Sequence, residues 1–348
     1  MSNFFYVIAY FVWAIIMKKY NIALIGATGL VGRTFLKVLE EYDIPINNLF
    51  LYASNKSVGK KLTYKNKEYI CRILDESSFK NIDFAIFCTS KEISNKYAEM
   101  FEKEGSIVID NSSNFRMHKD IALIVPEINM DDFYNSKRKI IANPNCSTIQ
   151  CVLALNTLKK KYRINRIIYN TYQSISGAGK IAIDDYNNCI NGNKNSYFPY
   201  DITKTCIPKI DEFINNRYTK EEMKMINETK KILHDESLLI TSTCVRVPVL
   251  YSHFINILVE FDSIYDMDEI YKLLNKQEGI KIVDDVFNNI YPTSIYSNDN
   301  DYVYVGRIRK DLSNDKALLI STVSDNLRKG AASNVVQIIK KLITIDWF

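Results

Sequence analysis

The sequence predicts an α/β protein in which a doubly wound parallel sheet is joined to a second α/β domain with a mixed sheet. As far as Asp110, short apolar runs alternate with amphipathic helical patterns, as they do in parallel βαβ units. From Arg163 onward the pattern changes to longer β-rich runs. A chain of 348 residues is also long for one core, so we expect two domains.

A glycine-rich turn follows the first predicted strand, Asn21 to Ile25, and precedes an amphipathic helix, Arg33 to Glu41. Glycines permit a tight turn and let the backbone approach a pyrophosphate, which then rests on the helix N-terminus. The spacing is GxxGxxG instead of GxGxxG, so a plain turn is the alternative. We predict a Rossmann-type cofactor site with contacts at Gly26, Thr28, Gly29, Leu30, Val31 and Gly32.

The end of the second strand, Leu49 to Ala53, indicates which nicotinamide cofactor is bound. An NAD-binding protein usually places Asp or Glu there for the ribose 2′-hydroxyl, whereas this chain continues with Ser-Asn-Lys-Ser. A cation and hydroxyls suit a 2′-phosphate, so we predict NADP with contacts at Lys56 and Ser57. The alternative is a solvated loop lysine.

The alternation continues with a strand at Asp83 to Thr89, a helix at Glu92 to Glu104 and a strand at Ser106 to Asp110. The polar loop that follows lies at the carboxyl edge of the predicted sheet, where such sheets bind ligands. Arg116 in this loop is a candidate anion-binding residue. The alternative is an ordinary pair with a surface carboxylate.

Cys146 follows an apolar strand, Ile140 to Ala142, at the point where a helical pattern starts. The unpaired N–H groups and the dipole at a helix N-terminus favour a thiolate, so we expect a thiol more acidic and more reactive than a free cysteine. The alternative is a buried structural cysteine.

The second domain is predicted from its β-rich runs and two helical patterns, and a further helical pattern closes the chain. The strands are Ile164 to Ser174, Ser237 to Val249, His253 to Asp262, Asp301 to Arg309 and Leu318 to Val323, and the helices are Thr219 to Leu233, Met267 to Lys276 and a last one from Ala331 to Ile343. These runs predict a mixed or antiparallel sheet faced by helices.

The composition excludes several classes of protein. A formal charge of +5, from 45 Lys and Arg against 40 Asp and Glu, is too mild to indicate nucleic acid but allows small anionic ligands. Seven cysteines without a CxxC pair argue against a disulfide framework and a zinc site, and we predict no metal. A reducing cytoplasm fits this cysteine pattern best.

Residues 1–16 stand apart because the run from Phe4 to Met17 is nearly all apolar. About 14 residues are short for a membrane span, and the flanks of a signal peptide are missing. Met17 could itself begin the first strand. We expect residues 1–16 to be an upstream mis-start or a dispensable extension, with a membrane tether as the alternative.

Six motifs resemble those of the aspartate-semialdehyde dehydrogenase family, in the family's order and from Met17 nearly to the end. They are the glycine turn, Asn143 to Thr148, Gln173 to Gly179, Glu221 to Lys224, Arg246 to His253 and Asp325 to Gly330. The resemblance implies a Rossmann domain at residues 17–146, completed by 327–348, and a catalytic and dimerisation domain at 147–326. It also implies a homodimer or homotetramer.

The resemblance further implies the NADPH-dependent reduction of 4-aspartyl phosphate to L-aspartate 4-semialdehyde, with release of phosphate. The product feeds the synthesis of lysine through diaminopimelate, and of threonine and methionine. An acyl phosphate has to become an aldehyde without hydrolysis, so Cys146 would first take the acyl group as a thioester. His253 is the candidate general acid and base, because an imidazole titrates near neutral pH.

The family pattern assigns a partner to each group of the substrate. Arg246 would bind the α-carboxylate through two hydrogen bonds, and Glu221 would bind the ammonium. Gln173 would hold the acyl group. The residues that would line the nicotinamide are Ser176, Gly177 and Asn326.

The phosphate is assigned to a second set of residues. Lys224, one helical turn beyond Glu221, would meet the phosphate together with Arg116 and Asn145. The alternative for Lys224 is an ordinary helix pair with Glu228 at i, i+4.

One motif departs from the family pattern, and two other functions compete. The family commonly has Gly-His-Ser where this chain has Ser252, His253 and Phe254, so the packing around the imidazole is expected to differ. N-acetyl-glutamyl-phosphate reductase uses the same chemistry, but its substrate lacks the free ammonium that Glu221 would bind. The other alternative is a non-catalytic NADP(H)-binding protein.

Overall fold

This computed structural model describes residues 18–344, and the predicted extension at residues 1–16 lies outside them. Two six-stranded sheets form the framework. The strands of the first half are β1 (Tyr20–Ile25), β2 (Ile46–Tyr52), β3 (Lys61–Tyr64), β4 (Lys67–Ile70), β5 (Phe84–Phe87), β6 (Ile107–Asp110), β7 (Ala122–Leu123) and β8 (Ile140–Ala142). The helices are α1 (Leu30–Glu41), α2 (Lys91–Lys103), α3 (Asp131–Tyr134) and α4 (Cys146–Lys159).

The first sheet has the order β2-β1-β5-β6-β8-β7, and every neighbouring pair in it is parallel. Its central strands β1, β5 and β6 are buried on both faces, as parallel strands covered by helices are. The predicted doubly wound sheet is therefore confirmed. The order reverses beside β1, where sheets of this kind bind ligands at their carboxyl ends.

The second half supplies the other sheet and its helices. The strands are β9 (Ile164–Gln173), β10 (Leu239–Arg246), β11 (His253–Phe261), β12 (Ile280–Ile282), β13 (Val303–Lys310) and β14 (Ala317–Ser324). The helices are α5 (Lys180–Ile190), α6 (Lys220–Ile232), α7 (Met267–Lys276), α8 (Ser294–Ser297) and α9 (Ser333–Thr344).

The second sheet is mixed, with the order β10-β9-β11-β14-β13-β12. Its two outer pairs are parallel and its three inner pairs are antiparallel. This outcome confirms the predicted mixed sheet. Helix α4, which begins at Cys146, packs against this sheet and is buried nearly all round.

The last helix returns to the first sheet. Val335, Val336 and Ile339 of α9 share a core with Phe35 and Leu39 of α1. A π-helical turn, Arg328–Ala332, leads into α9. A Cβ atom added at Gly330 in this turn would lie 2.8 Å from Cβ of Cys146, so the C-terminal segment lies directly against the start of α4.

The sequence patterns missed the β3–β4 hairpin and the short strands β7 and β12. The β3–β4 hairpin turns through Lys65 and Asn66, both of which have positive φ. This pair of residues lacks the glycine that marks most such turns, and the strands are only four residues long. Strand β12 has three residues, too few for a periodic pattern.

Two features are absent from the described residues. Among residues 18–344, no helix combines the length and the apolar character needed to cross a membrane. The same part of the chain contains no group of three or more His, Cys, Asp or Glu side chains that could bind a metal ion.

The buried ion pair behind the π-helical turn should matter to stability. Lys329 is fully buried and donates to Glu127 at 2.6 Å and to Gln337 at 2.8 Å. Lys329→Met would leave the Glu127 carboxylate buried without its cation, so we expect a loss of about 3–5 kcal/mol in the free energy of unfolding. Urea denaturation followed by circular dichroism measures it.

Two further variants serve as controls for that measurement. The double variant Lys329→Met, Glu127→Gln should recover part of the loss, because it removes the buried charge as well. Lys37→Met breaks the exposed pair with Asp299 and should change stability little. Equal effects of Lys37→Met and Lys329→Met would contradict a special role for the buried pair.

Candidate active site

A cleft of about 470 Å³ lies between the carboxyl ends of the first sheet and the N-terminus of α4. It brings together groups from nine separate segments of the chain. The predicted site residues that line it are Gly29, Leu30, Val31, Arg116, Asn145, Cys146, Gln173, Ser176, Gly177, Glu221, Lys224, Arg246 and Asn326.

Cys146 is the first residue of α4, as predicted. Asn145 caps the helix with Oδ1, which accepts from the backbone N–H groups of Ser147 at 2.9 Å and Thr148 at 3.3 Å. This cap orients the chain so that the Cys146 side chain lines the cleft.

The prediction that the Cys146 thiol is more acidic than a free cysteine was wrong. Burial raises its pKa to about 11, and the Glu221 carboxylate raises it further. Arg116, Arg246 and Lys224 act in the opposite direction but do not compensate. Desolvation of the thiolate thus outweighs the three nearby cations, and the raised pKa corresponds to a thiol at neutral pH.

Glu221 is the central carboxylate of the cleft. It accepts from Nδ2 of Asn145 at 2.8 Å, Nε2 of Gln173 at 3.1 Å and Nζ of Lys224 at 3.1 Å. Burial alone would raise its pKa, but Lys224, Asn145 and Gln173 lower it to about 2. Glu221 therefore stays ionised and joins three predicted substrate-binding residues.

Lys224 does not pair with Glu228, so the ordinary helix pair considered from the sequence is wrong. Its Nζ donates to Glu221 and, at 2.9 Å, to Asp211. Burial lowers the pKa of Lys224, but these two carboxylates outweigh burial and raise it. Lys224 is therefore a cation at the wall of the cleft.

Arg116 is buried and holds a carboxylate that sequence reasoning missed. Its Nη1 donates to Oε1 of Glu228 at 3.0 Å, and the other oxygen of Glu228 accepts from the backbone N–H of Asn145 at 2.7 Å. The Arg116 guanidinium also donates to the carbonyl oxygens of Asn111 and Ser112. Its partner is thus neither exposed nor an ordinary surface carboxylate.

A helical stripe could have revealed Glu228. Glu221, Lys224 and Glu228 follow one another at i, i+3 and i+7 on α6, so they share one face. Charged residues on the buried face of an amphipathic helix are a signal for a polar site. The family motif covered only the first two of them.

His253 and Arg246 lie together under the turn that contains Gly177. A Cβ atom added at Gly177 would lie 3.0 Å from Nη1 of Arg246 and 3.1 Å from Cε1 of His253, so a side chain there would crowd both groups. Gln150, one turn after Cys146, donates to the His253 carbonyl oxygen at 3.3 Å. His253 is fully buried, and the cleft is lined by Gly177 above it.

The expected titration of His253 near neutral pH was also wrong. Burial lowers its pKa to about 3, and the neighbouring Arg246 cation lowers it in the same sense. Burial likewise lowers the pKa of Arg246, which stays protonated because a guanidinium titrates so far above neutral pH. The imidazole is therefore neutral throughout the physiological range.

Ser252, the departure from the family pattern, adopts a left-handed backbone conformation with φ of 72°. A glycine would adopt this conformation without strain. Here the Ser252 N–H donates to Oδ1 of Asn326 at 2.9 Å, and its hydroxyl donates to Asn298 at 2.6 Å. These hydrogen bonds offset the strain and tie His253 to the Asn326 segment.

The predicted cofactor residues fall into three groups. Gly29, Leu30, Val31, Ser176, Gly177 and Asn326 line the main cleft. Gly26 and Lys56 line a neighbouring cleft of about 440 Å³ at the end of β2. Thr28, Gly32 and Ser57 line neither cleft. Gly32 packs against Gly26, because a Cβ atom added at Gly32 would lie 2.4 Å from the Gly26 oxygen.

Comparison with known sequences identifies the family. A family model described as semialdehyde dehydrogenase, NAD binding domain, matches residues 21–136, and one described as semialdehyde dehydrogenase, dimerisation domain, matches residues 155–329. Aspartate-semialdehyde dehydrogenase of Aquifex aeolicus is 46% identical over 333 residues, which cover 93% of this chain and 98% of the relative. The chain belongs to the aspartate-semialdehyde dehydrogenase family. The resemblance drawn from the six motifs is confirmed.

Other relatives of the aspartate-semialdehyde dehydrogenase family extend the comparison. The Campylobacter jejuni enzyme is 42% identical over 94% of this chain and 98% of the relative. The crystal structure of aspartate semialdehyde dehydrogenase II of Vibrio cholerae, complexed with ASA, has a TM-score of 0.89 and 41% identity over 95% of this chain and 100% of that one. This member of the family is therefore an oxidoreductase with an NAD(P)-binding domain.

The raised pKa of Cys146 leads to a test by alkylation. The thiolate is the nucleophile, so iodoacetamide should label Cys146 about tenfold faster for each pH unit between about pH 7 and 9, without levelling off. Peptide mass spectrometry separates Cys146 from the other cysteines, and the exposed Cys206 provides an internal reference. A rate that levels off near neutral pH would contradict the pKa of about 11.

Proposed function

We propose that this protein reduces 4-aspartyl phosphate to L-aspartate 4-semialdehyde with NADPH and releases phosphate. The reaction would serve the synthesis of lysine, through diaminopimelate, and of threonine and methionine. One observation carries most of the argument. Cys146 lies in a single cleft between the N-terminus of α1 and a set of buried charged side chains of both signs.

Those charges match a small amino acid that bears a carboxylate, an ammonium and a phosphate. Arg246 is a buried guanidinium suited to the α-carboxylate, and Glu221 is an ionised carboxylate suited to the ammonium. Lys224 and Arg116 are cations on the same cleft and suit the phosphate. Asn145 and Gln173 complete the wall, and each donates to Glu221.

The residues around the glycine turn fit a dinucleotide. Gly26 has φ of 88°, and a Cβ atom added there would lie 2.2 Å from the Cys88 backbone oxygen, so a side chain would collide with the chain that follows β5. No side chain caps α1, which leaves its first N–H groups available to a pyrophosphate. Gly29, Leu30 and Val31 would hold the pyrophosphate there, while Ser176, Gly177 and Asn326 would line the nicotinamide.

Each step of the proposed reaction is assigned to residues of the chain. Cys146 would attack the acyl carbon, and Arg116 and Lys224 would bind the departing phosphate. The bound nicotinamide supplies the hydride. Gln173 would orient the acyl group, and His253 would act on its oxygen. Because the acyl group is held as a thioester in a buried cleft, water would not intercept it.

The choice of NADP rests on the neighbouring cleft. Its wall at the end of β2 consists of Ala53, Ser54, Asn55 and Lys56, with no carboxylate among the residues that line it. Lys56 is exposed there and would bind the 2′-phosphate, with Ser57 beside it. A carboxylate at this place would instead favour the 2′-hydroxyl of NAD.

The assembly is part of the proposal. The open face of the second sheet carries an apolar groove of about 550 Å³ that includes Tyr172, Val249, Phe254 and Val323. All of these residues lie within the range matched by the dimerisation family model. We assign a second copy of the chain to this face, which makes a homodimer or, with a further interface, a homotetramer.

Domain boundaries and location follow the same reasoning. The NADP-binding domain would comprise residues 17–146 and 327–348, because α9 packs on the first sheet. The catalytic and dimerisation domain would comprise residues 147–326. Seven cysteines remain free thiols, which supports a reducing cytoplasm.

A direct assay tests the function. The protein with aspartate semialdehyde, phosphate and NADP should produce NADPH, and omission of phosphate should stop it. Cys146→Ala should abolish turnover while the affinity for NADP, measured by fluorescence titration, stays within about twofold, because the thiol lies beside the cofactor residues without belonging to them. Turnover of Cys146→Ala equal to that of the wild type would rule out the thioester.

The same assay separates the alternatives. Activity on N-acetyl-glutamyl phosphate with none on aspartyl phosphate would favour the reductase for the acetylated substrate. The buried charge of Glu221 argues against that outcome, because an acetylated nitrogen carries no ammonium. Cofactor binding without any phosphate-dependent reaction would favour a non-catalytic NADP(H)-binding protein.

Cofactor preference has its own test. Lys56→Ala should raise KM for NADP about tenfold, because it removes one charge-assisted hydrogen bond to the 2′-phosphate. KM for NAD should hardly change. Lys60→Ala is the matched control, since Lys60 is exposed in the same loop but does not line the cleft. A similar rise in KM for both cofactors would show that Lys56 does not bind the 2′-phosphate.

A further inference from the structure

The polar stripe on α6 continues beyond the two predicted substrate-binding residues. Glu221 and Lys224 line the cleft, and Glu228 and Lys231 follow at i+7 and i+10, on the same side of the helix. Glu228 and Lys231 do not line the cleft, but both bind the loop that carries Arg116. Their position therefore connects α6 to a cation of the cleft.

The two oxygens of the Glu228 carboxylate bind two different parts of the cleft wall. Oε1 accepts from Nη1 of Arg116 at 3.0 Å, and Oε2 accepts from the backbone N–H of Asn145, the residue before Cys146, at 2.7 Å. Glu228 is only 1% exposed. A carboxylate offers an acceptor to each of these donors, whereas an amide would set its own N–H group against one of them.

The Arg116 guanidinium is oriented by three acceptors and still has N–H groups to offer. Besides the bond to Glu228, Nε donates to the Ser112 carbonyl oxygen and Nη2 to the Asn111 carbonyl oxygen, both at 3.0 Å. Within residues 18–344 these bonds use three of the five N–H groups, so one remains on each terminal nitrogen. Arg116 lines the cleft, and these N–H groups can bind an anion there.

Charge also links Arg116 to Glu228. Burial lowers the pKa of the Arg116 guanidinium, but the Glu228 carboxylate, with smaller contributions from Glu221 and Asp110, outweighs burial and raises it. A buried cation is costly without a counter-charge, and Arg116 is only 8% exposed. Because the protein supplies the counter-charge, the guanidinium is already oriented when an anion arrives.

Lys231 binds the backbone of the same loop. Its Nζ donates to three carbonyl oxygens, those of Arg116 at 2.8 Å, His118 at 2.6 Å and Ile121 at 2.8 Å. A lysine has three donors, so these bonds engage the whole ammonium group. Both the side chain and the backbone of Arg116 are therefore bound to α6.

We propose that Glu228 and Lys231 are positioning residues for the phosphate group of the substrate. Glu228 orients the Arg116 guanidinium and ties it to the start of α4, and Lys231 fixes the loop that carries Arg116. Helix α6 thus contributes one phosphate-binding cation, Lys224, and places the other. This inference rests on the proposed function and adds two residues that act through Arg116.

Substitution of Glu228 tests this role through the phosphate. Glu228→Gln offers one acceptor to two donors, so Arg116 and the Asn145 N–H cannot both be satisfied. In the direction that forms NADPH, KM for phosphate should rise about tenfold, whereas KM for NADP should stay within about twofold. A merely structural role would lower stability without this selective effect on phosphate.

Glu222→Gln is the matched control. Glu222 is a buried carboxylate of the same helix and also accepts from two donors, the backbone N–H groups of Thr219 at 2.7 Å and Cys244 at 3.1 Å. Neither Thr219 nor Cys244 lines the cleft. Glu222→Gln should lower the midpoint of urea denaturation but leave KM for phosphate within about twofold of the wild-type value. The same rise in KM for phosphate in both variants would overturn the proposal.

Lys231→Met is a second test, which decides the question even if Glu228→Gln does not fold. Lys231 is only partly buried, and its loss frees the loop backbone while Arg116 stays paired with Glu228. KM for phosphate should rise about three- to tenfold with kcat within about twofold. Lys230→Met is the control, because Lys230 donates to the Glu236 carbonyl oxygen at 3.0 Å, away from this loop. Equal values of KM for phosphate in Lys231→Met and the wild type would contradict the proposal.

A double-mutant cycle shows whether Glu228 acts through Arg116. Calorimetric titration with inorganic phosphate at saturating NADP measures affinity without turnover. Adding Glu228→Gln to Arg116→Met should weaken phosphate binding by less than about twofold, because the group that Glu228 orients is already gone. Additive losses would overturn the positioning role. Phosphate binding that follows this pattern in a protein without phosphate-dependent NADPH formation would instead overturn the proposed function.

Discussion

The cleft depends on the buried carboxylate of Glu221. A buried charge is tolerated only when other groups pair with it, and Glu221 finds its partners on the cap of α4, at the end of β9 and one turn further along α6. Satisfying this one group therefore places Asn145, Gln173 and Lys224 around the thiol. Glu228, from the same face of α6, reaches Arg116 and the Asn145 backbone. The carboxylates of α6 thus connect the loop that contains Arg116 to the residue that precedes Cys146.

Withdrawal from water acts differently on paired and unpaired groups in this cleft. Glu221 and Lys224 have partners of opposite charge and stay ionised, with the pKa of Glu221 near 2. For Cys146 and His253 the nearby charges of opposite sign do not compensate for burial, so the thiol and the imidazole stay neutral. A thiol oxidises less readily than a thiolate, so burial keeps Cys146 in the less reactive form. In the proposed function the charged groups would bind the substrate, and the neutral groups would carry out the chemistry.

The C-terminal segment completes the site from the far end of the chain. Asn326 accepts from Ser174, Ser176 and the N–H of Ser252, which links three of the turns around His253. Gly330 approaches Cys146 so closely that a side chain would not fit between them. The π-helical turn that makes this approach is anchored by Arg328 and Lys329, whose ion pairs reach residues in three different segments. Turns of this kind are frequent at functional sites.

Much of the protein follows from local patterns in the sequence. Strand and helix periodicity placed the parallel sheet, the mixed sheet and the start of α4 at Cys146, because burial alternates with the geometry of each element. The order of six motifs was enough to indicate the family. Tertiary structure decided the partners and the protonation. Lys224 pairs with Asp211 instead of Glu228, Cys146 is a thiol, and His253 is neutral with a backbone donor on Nδ1. The pKa of a group and its choice of ion-pair partner both depend on residues that are far apart along the chain. A local sequence pattern therefore cannot predict either of them.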